Sequence, residues 1–508
     1  MGENTDLCRT DISAEIGNSR GISGSKKTTT TTHSFSRSSA VPLLVRNVES
    51  ISASDSSLDA PLERPSCVDS SGDAISQQVL VQDGFEAYEA VTSMDPSTSL
   101  KTSTSSSRSQ NLPSSISHIQ TDIIVAGSLA IDLSCDYLPP VNSTGQDVPQ
   151  RFTSNPAAIT QTVGGVGHNV ATAIHYLGTS VRLCSQVGDD LPGSAAVSQL
   201  TERGMQTTGI TKRSGFPTAH YVAINDSKKN LMLAMADMSI LERSQNRRGR
   251  IEIKTPDSSF VKWQAHMDAC KPTWIIVDAN WDPITILNWI GAENVVRAKI
   301  AFEPVSAVKS KRLFSFIKRY YTRDDLVLVD LATPNLVELD SMHAVAKQKG
   351  WFDHRWRRWI NAMGSLKISL EDGGASHQAI QLLPYIPTIL TKMGDRGVLM
   401  TQMLRPGDSR LTSPESAPYI LSRSETKDSM VGGVYMRLFP SVEKVPENEI
   451  ISVNGVGDTF LGVLVAGLAK PSPKKVEDLI DIAQRGSVMT LKSKESVSRH
   501  ISELRSEL

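Results

Sequence analysis

The sequence predicts an α/β protein in which a mostly parallel sheet is covered by helices on both faces. Three observations lead there. Short, fully apolar runs closed by Gly or Asp recur along the chain, helical patterns lie between them, and two glycine-rich turns each precede a helix. Strands buried on both faces read as continuous apolar runs, and their alternation with amphipathic helices marks a parallel sheet. In such sheets ligands bind at the carboxyl ends of the strands, where these Gly and Asp residues fall.

The elements follow in order. Residues 1–118 are rich in Ser and Thr, with runs such as Thr28 to Thr32 and Thr102 to Ser107. Too little apolar surface is available there to offset chain entropy, so a mostly disordered tail is predicted. One domain, 119–508, is expected to follow. Its strands are Asp122 to Gly127, Val181 to Val187, Trp274 to Val277, Leu326 to Val329 and Thr388 to Thr391. Between the first two, Val170, Ala173, Ile174 and Leu177 recur at helical spacing. Thr218 to Asn225 and Asn230 to Met238 read as a hairpin around Asp226 to Lys229 within a small sheet of about 216–240. Polar stretches of about 243–259 and 405–430 read as surface insertions.

Composition limits the function classes. A formal net charge of −1 gives no footprint for nucleic acid or an anionic membrane. The apolar run Phe460 to Ala469 is far shorter than the ~20 residues of a membrane span. The 5 cysteines are dispersed without a CxxC pair, which suits a reducing compartment, and no secretory layout opens the chain. A cytoplasmic protein is expected.

The chemistry concentrates in two segments. Thr162-Val-Gly164-Gly165-Val-Gly-His168-Asn169 runs into the Val170 helix, where glycines let backbone N–H groups approach a ligand and Asn169 adds a donor and an acceptor. Equally, Asn169 could serve as a helix cap. Asn454-Gly455-Val456-Gly457-Asp458 opens the apolar helix from Leu461, a ready anion site. There Asp458 is either an N-cap or a general base that deprotonates a hydroxyl for in-line phosphoryl transfer. No Walker loop occurs in the chain.

These motifs, in this order, resemble the PfkB carbohydrate kinase family, of ribokinase-like fold. Gly164, Gly165 and Asn169, with Gly178 and Gly188 downstream, are similar to its first signature; Ser452-Val-Asn-Gly455-Val-Gly457-Asp458 is similar to its second, usually DTTGAGD. Thr333-Pro-Asn335-Leu-Val-Glu338 resembles the NxxE element, and Thr391-Lys-Met-Gly394-Asp-Arg-Gly397 the nucleotide-side glycine turn. The resemblance spans everything from about 119 onward. It implies a three-layer α/β/α kinase with a small β lid, using ATP and Mg²⁺, with a monovalent cation left open. Asp458 would be the catalytic base, and Gly455, Val456 and Gly457 the anion hole. Asp132, Gly164, Gly165 and Asn169 would hold the sugar, an ionised carboxylate being suited to a ribose-type diol. Thr391, Gly394 and Gly397 would line the ATP site, and Asn335 and Glu338 would hold Mg²⁺ through waters. Read from the residues alone, Asn335 and Glu338 are an ordinary helix start after Pro334. Adenine contacts are expected from Ala483 to Ser498, with Ser487 and Ser496 as guesses.

Within the family, the lid order TAxYxAI, turn, ADM resembles pseudouridine kinases more than ribokinase or adenosine kinase. GSLAIDLSCDY likewise resembles the kinase half of fungal fusions with a pseudouridine-phosphate glycosidase. The expected reaction is therefore 5′-phosphorylation of pseudouridine. A ribokinase or another nucleoside kinase stands as the alternative, and a non-catalytic ligand-binding regulator as one of another class. A homodimer paired through the lid is a further expectation. Ser452 departs from the leading Asp of the second signature, and His168 stands where a small residue or Arg is common. The tail does not look like a glycosidase, so no glycosidase activity is expected.

Overall fold

The computed structural model describes residues 122–140, 147–242, 258–315, 327–353, 356, 359, 361, 374–424 and 431–508. The Ser/Thr-rich tail and most of the 243–259 stretch lie outside the described residues.

Ten strands form the main sheet, in the order β13-β14-β12-β11-β10-β9-β8-β1-β4-β5. They are β1 (Ile123–Ala126), β4 (Val181–Gly188), β5 (Ile210–Arg213), β8 (Trp274–Asp278), β9 (Lys299–Glu303), β10 (Leu331–Ala332), β11 (Thr388–Lys392), β12 (Val398–Leu404), β13 (Ile420–Arg423) and β14 (Gly433–Phe439). Pairing is parallel from β11 across to β5 and antiparallel from β11 outward to β13. Four further strands, β2 (Ala130–Tyr137), β3 (Ala157–Gly164), β6 (Ala219–Asn225) and β7 (Leu231–Asp237), form a separate lid sheet in the order β3-β2-β6-β7.

Alternation along β1 shows why the main sheet is a middle layer. Ile123 and Val125 join one buried cluster with α1 (Val166–Tyr176), α8 (Val456–Leu468) and α9 (Val476–Leu491). Ile124 and Ala126 join another with α3 (Ser258–Cys270), α4 (Pro283–Val296), α6 (Leu336–Gln348) and α7 (Ala375–Leu382). Successive strand side chains point to opposite faces, so an all-apolar run must be covered twice. Two further helices are α2 (Leu191–Glu202) and the short α5 (Ala307–Ser310).

Three expectations are revised. The apolar run before Asp330 is not itself the strand. Asp330 Oδ2 accepts from the Ile300 N–H at 2.8 Å, replacing a ladder bond, and regular pairing begins only at Leu331. The stretch from 405, expected as a surface insertion, contributes β13 to the sheet edge. The lid is larger than a hairpin. β6 and β7 pair as expected, with Asp226 accepting from Lys228 and Asn230 N–H groups at 2.8 Å in their turn. β2 and β3 complete the sheet, and Asp132 sits within β2.

Candidate active site

Asp132 lies on β2, in register with Tyr221 on the parallel β6 and Thr162 on the antiparallel β3. Its carboxylate rests over Gly164, at the end of β3, where any side chain would collide with it. Burial pushes the Asp132 carboxyl up to about 6. Gly165 is the N-cap of α1 and carries the chain from the lid into the core helix. Asp132 and Gly164 thus lie together, and Asn169 follows in the first turns of α1.

Asn169 Nδ2 donates to Asp458 Oδ2 at 2.8 Å. Behind it, His168 Nδ1 lies 3.1 Å from Asn169 Oδ1, and Thr172 Oγ1 lies 3.3 Å from His168 Nε2. Burial pushes His168 down to about 4, so the ring is neutral and orients the amide rather than adding charge. Asp458 is not a cap. Gly455 holds that position at φ 74, and Asp458 belongs to the first turn of α8. The left-handed backbone at Gly455 suits glycine, and a Cβ there would strike the Ser496 carbonyl. Val456 and Gly457 are the first two helical residues, whose N–H groups have no partner within the helix, an arrangement suited to an anion. Burial, reinforced by Glu303, raises the Asp458 carboxyl to about 7 against the Asn169 bond and the Lys392 charge.

On the opposite side the structure corrects one residue. The Thr391 side chain is fully buried in β11, its hydroxyl without a hydrogen-bond partner among the described residues, so it does not line the open side where a nucleotide was expected. Strand alternation turns the next residue the other way, and Lys392 reaches the site. Lys392 Nζ donates to Glu303 Oε1 at 3.1 Å, and Thr333 Oγ1 donates to Glu303 Oε2 at 2.6 Å. Gly394 and Gly397 bracket the turn from β11 to β12, closed by a 2.8 Å bond from Met393 N–H to the Gly397 carbonyl. Asn335 and Glu338 form a reciprocal capping box on α6: Asn335 Oδ1 accepts from Glu338 N–H at 2.9 Å, and Glu338 Oε2 accepts from Asn335 N–H at 2.8 Å. Ser487 Oγ donates to the Val456 carbonyl at 3.0 Å, bringing α9 against the glycine turn.

A buried polar cluster at the ends of β1 and β8 supports the first glycine segment. Asp278 Oδ2 accepts from Ser128 N–H at 2.7 Å, Gly167 N–H at 3.1 Å and Asn280 Nδ2 at 3.1 Å. Lys309 Nζ donates to Asn280 Oδ1 at 2.6 Å. The chain reaches back to make that contact through Val305, a β-branched residue at φ 68 just after Glu303. Asp278 thereby fixes the segment that carries Asn169. Asp278→Ala strands several buried donors, and a loss of about 3 kcal/mol or more is expected in urea unfolding.

Asp278 had a sequence signal, the aspartate closing an apolar strand. Glu303 closes Ile300 to Phe302 in the same way and was missed. Lys392 stands inside the quoted nucleotide-side motif, but nothing local distinguishes it from a surface lysine.

The raised carboxyls give a pH dependence. A base must be ionised to act, so log(kcat/KM) is expected to rise with pH up to about 7, with a steeper limb below about 6 where Asp132 also loses its charge. Stability runs the other way. The native state holds protons that the unfolded chain releases near 4, so stability falls as pH rises from there toward 7. Rate profiles and urea midpoints across pH 4 to 8 check both signs.

Among the described residues, no helix is long and apolar enough to cross a membrane, and no group of three or more His, Cys, Asp or Glu is placed to hold a metal ion. The pfkB family carbohydrate kinase profile matches residues 120–247. A pseudouridine-metabolizing bifunctional protein of Schizosaccharomyces pombe is 28% identical over 402 residues, 75% of this chain and 47% of that protein. The chain thus spans about half the length of that relative. The pseudouridine kinase of Escherichia coli is 26% identical over 253 residues, 47% of this chain and 73% of the relative. In fold, Arabidopsis thaliana ribokinase complexed with ribose and ATP superposes with a TM-score of 0.50 at 13% identity, covering 77% of this chain and all 100% of that one. The chain thus has a ribokinase-like sheet with a β lid, and over residues 120–247 it is similar to the PfkB family of carbohydrate kinases.

Proposed function

We propose that the chain transfers the γ-phosphoryl group of ATP to the 5′-hydroxyl of pseudouridine. The observation that carries the reaction is the Asn169–Asp458 pair at the start of α8, a buried carboxylate beside free helix N–H groups. Support for the acceptor comes from relatives named for pseudouridine metabolism. Asp132 on the lid would accept from the ribose hydroxyls, with Gly164 leaving room above its carboxylate. Asp458, oriented by Asn169, would take the proton from the attacking hydroxyl. The N–H groups of Gly455, Val456 and Gly457 would receive the developing charge, where loss of one donor typically costs about 100- to 1000-fold. Gly394 and Gly397 would shape the nucleotide side.

Magnesium belongs to the same proposal. The capping box engages one carboxylate oxygen of Glu338 and the amide oxygen of Asn335, which fits an ion held through its own water shell rather than by direct ligation. When bound, it would neutralise phosphate charge. The lid supports a homodimer: Leu231, Leu233 and Met235 line one exposed face of the edge strand β7, apolar surface that a second lid would cover.

The test is a coupled ADP-release assay with Mg²⁺ and ATP, comparing pseudouridine, uridine, adenosine and ribose at equal concentration. Preference for pseudouridine is expected. Preference for ribose or another nucleoside would replace the acceptor and leave the reaction class. Absence of turnover with all four would remove the kinase reading.

A further inference from the structure

We propose that Lys392 is a further phosphoryl-binding residue, its ammonium meeting the oxygens of the group in transfer while Glu303 and Thr333 hold it in place. This rests on the kinase reading above and adds to that reading a donor-side cation.

Position is the first argument. Lys392 ends β11, and its backbone N–H donates to the Pro334 carbonyl at 2.8 Å, which ties it to the residue before the Asn335–Glu338 cap. Its Nζ lies 3.0 Å from where a Cβ on Gly457 would stand. The ammonium therefore sits directly beside the N–H groups that open α8. Glycine at 457 leaves it room there, since a Cβ would press the ammonium aside by a few tenths of an ångström.

Charge is the second. Burial disfavours the Lys392 ammonium, yet Glu303, Glu338 and Asp458 around it hold its pKa above the ordinary lysine value. A lysine ammonium has three donors, and its bonds to Glu303 run to the two oxygens of one carboxylate, at 3.1 and 3.3 Å. Its side chain is 19% exposed against 4% for Glu303, so Glu303 is the buried anchor and Lys392 the group that faces outward. Thr333 fixes that anchor from behind at 2.6 Å.

In the transfer, the acceptor oxygen bonds to the γ-phosphorus as the bond to the β,γ-bridging oxygen breaks. ADP leaves with that electron pair, and the hydroxyl proton passes to Asp458. Charge spreads over the three peripheral oxygens of the migrating group. An ammonium already positioned beside them needs no reorganisation as that charge develops.

The alternative is a structural ion pair, whose loss would lower stability without regard to phosphate number. The test uses the full chain as wild type, Lys392→Met and Lys392→Arg. Titration calorimetry with Mg²⁺ measures AMP, ADP and the β,γ-imido analogue of ATP, and kcat is measured with the best acceptor. Lys392→Met is expected to weaken the imido analogue by about 10- to 100-fold, the worth of a charged hydrogen bond, with AMP nearly unchanged. Its kcat is expected to fall about 100- to 1000-fold, with partial recovery in Lys392→Arg. An equal loss for all three nucleotides, or unchanged binding and kcat, would overturn the proposal. Should Lys392→Met not fold, Thr333→Val loosens the anchor instead. A kcat loss with AMP affinity intact is then expected, and an unchanged kcat counts against the role. Failure of the kinase reading would appear separately, as wild type that turns over no acceptor.

Discussion

Asp458→Asn is expected to lower kcat by about 100- to 10,000-fold, the usual contribution of a positioned general base, while the protein stays folded. The substitution keeps the shape and leaves an amide oxygen to accept the 2.8 Å bond from Asn169. It removes a carboxyl that burial has raised to about 7, so the variant should also gain stability at pH 7 to 8, where wild type holds a buried charge. Loss of rate with a rise in melting temperature separates a base from a structural aspartate. Wild-type rates in the variant would remove Asp458 from the reaction. Michaelis constants should move little, because the proton is taken only as the acceptor attacks.

Gly455→Ala is the second large effect, and it acts through the backbone. Residue 455 has φ 74, and the new methyl would overlap the Ser496 carbonyl. A non-glycine residue held in this region costs about 1–3 kcal/mol before any collision. The turn must then move, and it carries the first N–H groups of α8. A displacement of about 1 Å at a reacting centre can cost about 100-fold in rate, so a drop of that size in kcat is expected together with a lower melting temperature. Gly215→Ala is the control: its φ is 81 and nothing lies within 4 Å of the added carbon, so the backbone cost of about 1–3 kcal/mol with unchanged kcat is expected there.

What the sequence revealed and what it hid divide along physical lines. Asp458, Gly455, Asn169, Gly164 and Asp132 could be singled out in the sequence because their signals are local: glycine beside a helix start has few purposes, and apolar runs announce the strands before them. Even so, pairing Asn169 with Asp458 joins positions 289 residues apart, which spacing alone does not give. The ion pair of Glu303 with Lys392 joins positions 89 apart, and Asp278 meets Ser128 across 150. Each of these contacts is created by strand order, and that order is a property of the whole sheet. Thr391 and Lys392 show the limit most sharply, since one step along a strand exchanges a buried face for the site. β2 and β3 escaped notice because Thr, Ser and Gln interrupt them, and the exposed pattern of β3 carries no core-facing alternation.

The lid also divides the protein into parts that natural variation can alter separately. Asp132 and Gly164 belong to lid strands, whereas Asp458, Gly455 and Lys392 belong to elements of the central layers. On the proposed reaction, substitutions along β2, β3 or β6 would reshape the cradle for an acceptor without touching the groups proposed to receive phosphate. A catalytic half so separated could be inherited intact while acceptor preference drifts, one strand face at a time.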